Sequence, residues 1–238
     1  MANSSYNRYK NLHTFATEWR NYKSKTTLLS QDVFRNTMQT DEYIRSEYAN
    51  PAKSRDVLIY LFEKKSKYTT SSNNLKLLLK KIKTSVDVIL VTYEPLNTYG
   101  RKVISSFRAL NIYTYLHEIF DLIVPKGPLC YPHRRLSREE VLRLCNSELY
   151  CNIVNLPKIL DEDPQCIWIG AEVGDVIEIS SASDIACEAI TYRVVIPKNG
   201  RTVNFATTNV EEINVEDDDE VLEHREDNVI DDSSDEEA

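Results

Sequence analysis

Asp56, Glu63 and Lys65 stand in the order Asp…Glu-x-Lys that metal-dependent nucleases of small sheet-and-helix form use to hold a divalent ion. Parity opposes that use. If extended backbone runs from 56 to 63, the two carboxylates point to opposite faces, and a shared metal requires a bulge or another partner. Asp87 is that other partner if its strand lies alongside. Polar residues at strand ends are the simpler reading. Cys130 and His133, with Cys145 and Cys151 downstream, are possible soft-metal ligands. A structural zinc site needs four ligands of fixed geometry and usually carries a Cys-x₂-Cys knuckle, which is missing here. Buried, inert thiols are therefore expected, with no metal and no other cofactor. No Cys–His spacing signature for nucleophilic catalysis is present. With five glycines and neither a P-loop nor a G-x-G-x-x-G, nucleotide binding by a glycine-rich loop is not expected. Lys76, Lys80 and Lys83 form a stripe opposite the leucines of one helix. Such a stripe meets nucleic-acid phosphates with salt-dependent, sequence-independent affinity; otherwise it is a solvated face. Ser233 and Ser234 each have Glu three residues on, a context that acid-directed kinases use.

Charge is unevenly spread. Residues 208–238 hold fifteen Asp or Glu against Arg225 alone, a local net of −14; removing it from the chain total of −8 leaves +6 for 1–207. A mildly basic folded part with an acidic, disordered tail is expected. The start, "MANSSYNRYKN", has no apolar core segment, so export is not expected and the five cysteines should stay reduced. The apolar runs are shorter than a membrane span. These features predict a soluble intracellular protein.

These residues need elements to position them. Residues 6–48 read as helices, with Leu12, Phe15, Ala16 and Trp19 at helical spacing and Ser30 or Thr40 as caps. "DVLIYLF" (56–62) and "VDVILVTY" (86–93) are continuous apolar runs of the kind found in strands covered on both faces. Between them lies a helix over 75–83, with Leu75, Leu78, Leu79 and Ile82 on one face. A second helix follows, with Val103, Ile104, Phe107 and Leu110 inward, and then a third strand, "NIYTYL". Strand–helix–strand–helix–strand implies right-handed crossovers and a mainly parallel sheet. A second module begins near Asp121. Ser137 and Glu140 are in capping-box register, Pro164 follows Asp163 as a first-turn proline follows an N-cap, and Gly170 stands where a short helix stops. After a turn at Gly174-Asp175 comes a strand with Ile177 and Ile179 on one face. "ITYRVVI" alternates, with Ile190, Tyr192, Val194 and Ile196 opposite Thr191, Arg193 and Val195, as in a half-exposed antiparallel sheet. The fold class is thus α+β: an α/β module at 1–120, a small antiparallel-sheet module at 121–200 and an acidic tail at 201–238.

Leu156–Ile179, "LPKILDEDPQCIWIGAEVGDVIEI", contains two of the five glycines, a Leu-Pro and an Asp-Pro, yet no histidine and no phosphate loop. With its flanks it resembles the assembly module of the fifth subunit shared by eukaryotic nuclear RNA polymerases, a family that includes a shorter archaeal counterpart. The resemblance rests on Ile123-Val124-Pro125, His133, Ser137-Arg138-Glu139-Glu140-Val141, Leu156-Pro157-Lys158-Ile159, Asp163-Pro164, Gly170, Gly174-Asp175-Val176 and Thr191-Tyr192-Arg193-Val194-Val195. Eight pieces in order across 123–195 are specific where no single piece is. Residues 1–120 also look like the eukaryotic-type jaw domain, which the archaeal counterpart lacks. The resemblance implies a non-catalytic polymerase subunit bound mainly to the largest subunit, with the jaw module near downstream duplex DNA. It implies an assembly surface formed from His133, Pro157, Asp163, Pro164, Gly170, Gly174, Tyr192 and Arg193, with Lys76, Lys80 and Lys83 nearest DNA. Membrane attachment and self-association are not expected.

Departures accompany the resemblance. The family's Arg-Pro-Ser-x-Thr-Ala-Gly loop stands here as "SASDIAC", keeping Ser183 and Ala186; "KGPLCY" is a short insertion before His133; and the chain continues well beyond the Tyr-Arg strand. Such drift suggests a diverged lineage such as a large DNA virus with its own polymerase. The location would then be a cytoplasmic replication site or the virion, against the nucleus for a cellular protein. Two rival functions are a metal-dependent nuclease using the first module and a free-standing transcription regulator that mimics the subunit.

Overall fold

A computed structural model describes residues 2–64, 66–83, 85–148, 152–183 and 187–198, all within one compact unit spanning 1–203. The chain opens with α1 (Ala2–Thr14), which runs into a π-helical turn at Phe15–Trp19, then β1 (Lys23–Ser24) and α2 (Gln31–Thr40). There follow β2 (Ile44–Asn50), β3 (Arg55–Leu61), α3 (Lys67–Thr70), α4 (Ser72–Lys80), β4 (Val86–Thr92), α5 (Thr98–Ser106) and β5 (Asn111–Leu116). After two short 3₁₀ turns come β6 (His133–Arg135) and α6 (Arg138–Arg143), the latter extended by a π-helical turn at Leu144–Glu148. The fold ends in β7 (Lys158–Leu160), α7 (Pro164–Ile169), β8 (Val176–Ser183) and β9 (Cys187–Ile196).

The architecture is α+β with two mixed sheets. The larger has strand order β1-β2-β3-β4-β5, in which β3–β4 and β4–β5 are parallel while β1–β2 and β2–β3 are antiparallel. The expectation of a mainly parallel sheet is corrected by β1 and β2, of which β1 and most of β2 lie in the stretch read as helical. In β2, Ile44, Ser46, Tyr48 and Asn50 are buried while Arg45 is exposed and Glu47 and Ala49 are half-buried. That is period 2, and its polar inward members hide it from an apolar count. Ser30 caps α2, whereas Thr40 ends that helix rather than starting another. The continuous apolar runs do become strands buried on both faces: all seven residues of β4 are buried. Val57, Ile59 and Leu61 of β3 pack in one cluster with Tyr9 and Leu12 of α1 and Phe15 of the π-helical turn, and Leu58 and Tyr60 in another with Leu75, Leu78 and Leu79 of α4. Helix α4 stops at Lys80, short of the expected Lys83, so Ile82 and Lys83 follow its end.

The smaller sheet has order β6-β8-β9-β7. Pairs β6–β8 and β8–β9 are antiparallel, but β7 runs parallel to β9, correcting the all-antiparallel expectation. The expected alternation in β9 also fails at both ends: Val194 and Val195 are both buried, while Ile190 is 52% exposed. Sheet position overrides the local pattern, since the carboxyl end of β9 lies between covered faces and its start does not.

Helix α7 joins the two sheets. Its Cys166 packs on Ile177, Ile179 and Val195 of the smaller sheet, and its Ile167 and Trp168 enter the core of the larger one. A six-residue helix is nearly all ends, and ends leave backbone groups without partners. Burial therefore requires caps. Asp163 Oδ1 accepts from Gln165 N at 2.8 Å, and Pro164 fills the first position. At the other end Gly170, at φ +76°, closes the helix: Ala171 N donates to Cys166 O at 2.9 Å and Gly170 N to Ile167 O at 3.3 Å. The cluster of backbone-special residues in 156–179 thus serves a short buried helix. Among the described residues no helix is long and apolar enough to cross a membrane. The acidic tail with Ser233 and Ser234, and also Lys65, Cys151, Ala186 and Gly200, lie outside the described residues.

Candidate assembly surface and basic helical layer

Directly paired residues of neighbouring strands share a face, so the register sorts the side chains of the smaller sheet. His133 of β6 pairs with Ile179 of β8, which pairs with Thr191 of β9; Ile177 pairs with Arg193, and Val195 with Ile159 of β7. One end of this face lies under α7. The other end is open, forming a groove of about 700 Å³ with Ile159, Ile179, Thr191, Arg193 and His133 on its floor and Tyr131, Glu162 and Asp163 among its walls. Arg193 Nη1 donates to Lys158 O at 3.2 Å, which draws the guanidinium across the sheet. His133 Nδ1 lies 2.7 Å from the Tyr131 carbonyl, an acceptor only, so Nδ1 carries the proton and Nε2 is left for another group. Glu162 is held by Lys198 at 2.5 Å.

The eight residues assigned to an assembly surface therefore separate. His133, Asp163 and Arg193 meet at the groove. Pro157 is exposed beside it, its carbonyl accepting from Val194 N at 2.8 Å. Pro164 belongs to the α7 cap. Tyr192 is adjacent to Arg193 in sequence and so projects from the opposite face, where its register partner is Glu178. On that face Arg134 forms a fork to Glu178, at 3.0 and 2.9 Å, and reaches Glu140 at 2.7 Å. Glu140 also accepts from Ser137 N at 2.7 Å, and this bond together with Arg134 holds its carboxyl down to about 2. The capping box expected at Ser137 and Glu140 is formed.

Gly170 and Gly174 both have positive φ but differ in surroundings. A Cβ on Gly174 would meet open space, whereas one on Gly170 would collide with the Arg20 guanidinium, which reaches over it from the residue that caps the π-helical turn. Arg20 also stands 5.4 Å from the Phe15 ring centroid. Gly174→Ala should cost about 1–2 kcal/mol of backbone strain. Gly170→Ala should cost more, because Arg20 must leave its place. In an Arg20→Ala background the Gly170→Ala cost should fall to that of Gly174→Ala, measured as denaturant midpoints in a double-mutant cycle. Equal costs in both backgrounds would contradict the contact. Arg20 is a residue that sequence patterns do not single out.

The carboxylates read as nuclease candidates are engaged elsewhere. Asp56 pairs with Lys25 at 2.5 Å, Glu63 with Arg8, and Asp87 with Arg55 at 3.3 Å. Among the described residues no three His, Cys, Asp or Glu side chains converge as metal ligands. Burial pushes the Cys166 thiol up to about 12, so it stays protonated and unreactive. On the larger sheet, Lys76 and Lys80 of α4 are exposed, as is Lys83 beyond its end. Lys81, and Lys102 and Arg108 on and after α5, are exposed as well. Helices α4 and α5 cover the same sheet face, so these six cations, with the exposed Arg101 of α5, belong to one helical layer; those on and after α5 lack a readable stripe.

Residues 124–195 match the family model for the RNA polymerase Rpb5 C-terminal domain. A DNA-directed RNA polymerase RPB5 homolog of African swine fever virus is 26% identical over 151 residues, covering 58% of this chain and 72% of the relative. The DNA-directed RNA polymerase subunit Rpo5 of Methanosarcina mazei is 42% identical over 65 residues, covering 27% of this chain and 83% of the relative. Rpo5 of Methanococcoides burtonii is 37% identical over 65 residues, with the same coverage. At 151 residues the viral match is longer than the 72 residues of the carboxyl-side match, and at 65 residues the archaeal ones are shorter. The chain belongs to the Rpb5 family of accessory, non-catalytic subunits of DNA-directed RNA polymerase.

Proposed function

We propose that the chain docks on the largest polymerase subunit through residues 121–198 and holds the α4–α5 surface close to downstream duplex DNA during transcription. The observation that carries the DNA side is the common exposure of Lys76, Lys80, Lys81, Lys83, Lys102 and Arg108 on one helical layer. Trp168, Gly170 and the groove belong to other parts of the fold, so a partner can hold the smaller sheet while this layer stays open. Phosphate neutralisation by such cations gives affinity that falls with salt and ignores sequence. The assembly surface proposed by resemblance narrows to His133, Asp163 and Arg193 at the groove, with Pro157 beside it. Pro164, Gly170 and Gly174 act through shape, and Tyr192 serves the opposite face. The viral relative favours a diverged viral member, which would work with its polymerase at a cytoplasmic replication site or in the virion; a cellular member would work in the nucleus.

Replacing Lys76, Lys80 and Lys83 together by Glu should leave polymerase assembly intact. Retention of the purified polymerase on downstream DNA should drop several-fold at low salt, and the difference should shrink as salt rises. Unchanged retention at low salt would make the stripe a solvated face. Recovery of the tagged chain without the large subunits would instead favour a free-standing regulator.

A further inference from the structure

The open groove on the smaller sheet has a floor and a rim of different chemistry. Ile159 and Ile179 supply apolar floor, Arg193 stands upon it, and Lys158 and Lys198 are among the lining residues. One guanidinium nitrogen is bound to Lys158 O, and no carboxylate among the described residues pairs with the rest. The acids lining the groove are already used: Glu162 by Lys198, and Asp163 by the backbone of α7. Tyr131 and Leu160 stand half-exposed at the edge, and Leu129, 93% exposed, projects from the loop before Tyr131. A guanidinium with donors to spare recognises a carboxylate through paired hydrogen bonds.

We infer that this groove binds a peptide segment of the largest polymerase subunit, with an Asp or Glu side chain on Arg193 and an adjacent apolar side chain against Ile159, Ile179 and Tyr131. The inference rests on the docking reading above and adds the chemistry of the segment. Removing one member of a desolvated interfacial charge pair weakens association on the order of tenfold or more. Polymerase purified through the tagged full-length chain provides the test. Arg193→Glu should lower recovery of the largest subunit at least about tenfold, with an unchanged thermal midpoint of the isolated chain, and Arg193→Lys should restore part of it. A photo-crosslinking residue at Thr191 should capture a peptide of the largest subunit that contains Asp or Glu beside an apolar residue. Changing that acid to Arg should rescue Arg193→Glu. Normal recovery of the Arg193→Glu chain, or a crosslink from Thr191 to DNA or to nothing, overturns the inference and leaves docking through another face. Absence of the largest subunit from the wild-type preparation overturns the docking reading itself.

Discussion

Trp168→Ala should remove about 3–5 kcal/mol of stability, a large part of what a domain of this size possesses. Trp168 is wholly buried in a cluster with Phe15, Trp19 and Phe120, with ring centroids 5.5, 6.3 and 5.9 Å away, and its Nε1 donates to Ile119 O at 3.2 Å. Truncation opens a cavity where α7 meets the larger sheet and leaves the part-buried Ile119 carbonyl without its donor. The surroundings cannot easily close over it, because Cys166, two residues earlier, is fixed against the smaller sheet. Trp168→Phe should cost less, about 1–3 kcal/mol, since it keeps most of the packing and loses the hydrogen bond. Urea denaturation of the full chain measures both. A shift below about 1 kcal/mol for the alanine variant would mean that the two sheets do not depend on this shared core. The same variant should reduce recovery with polymerase, because the groove is formed by strands that α7 holds in place.

Residues whose physics is local are legible in the sequence. The Ser137–Glu140 box, the Asp163-Pro164 start and the Gly170 stop are settled by neighbouring backbone groups, and all three take the expected form. The apolar runs at 56–62 and 86–93 predict strands covered on both faces for the same reason, since their composition states their burial. What depends on distant partners stays hidden. β2 carries Ser46 and Asn50 inward, so its alternation looks polar until its pairing with β3 is known. β7 is three residues long and acquires its parallel direction only from β9. At the candidate site, His133 and Arg193 can be named from sequence but their meeting cannot, because it follows from a β6–β8–β9 register that no spacing encodes. Tyr192 groups with Arg193 through sequence adjacency, although adjacent residues of a strand face opposite ways. The Arg20–Gly170 contact joins residues 150 positions apart and leaves no signal beyond the glycine itself.

Arg8→Met should destabilise the chain by roughly 3–5 kcal/mol at neutral pH, with a deficit that shrinks on acidification. Arg8 and Glu63 form an ion pair whose side chains are 9% and 6% exposed, and Arg8 also reaches the more open Asp121 at 2.5 Å. The pair ties α1 to the carboxyl end of β3. Burial pushes the Glu63 carboxyl above its ordinary value, and the Arg8 charge opposes that rise. A raised carboxyl binds its proton more readily in the folded than in the unfolded chain. Its favourable contribution is therefore present below its ordinary pKa and lost as pH rises through the folded value. Without Arg8 the folded value climbs further, leaving a buried carboxylate with no adjacent cation, which protonation relieves as pH falls. Replacing both partners, Arg8→Met with Glu63→Met, should cost less than Arg8→Met alone, because no isolated charge remains. A deficit independent of pH would show that Arg8 acts through packing instead of charge. The series also weighs on the nuclease alternative. A catalytic Glu63 would be replaceable by Gln with stability kept and metal-dependent cleavage lost. Here Glu63→Gln should instead lower the unfolding midpoint, since it leaves Arg8 buried with one exposed acid as its counter-charge.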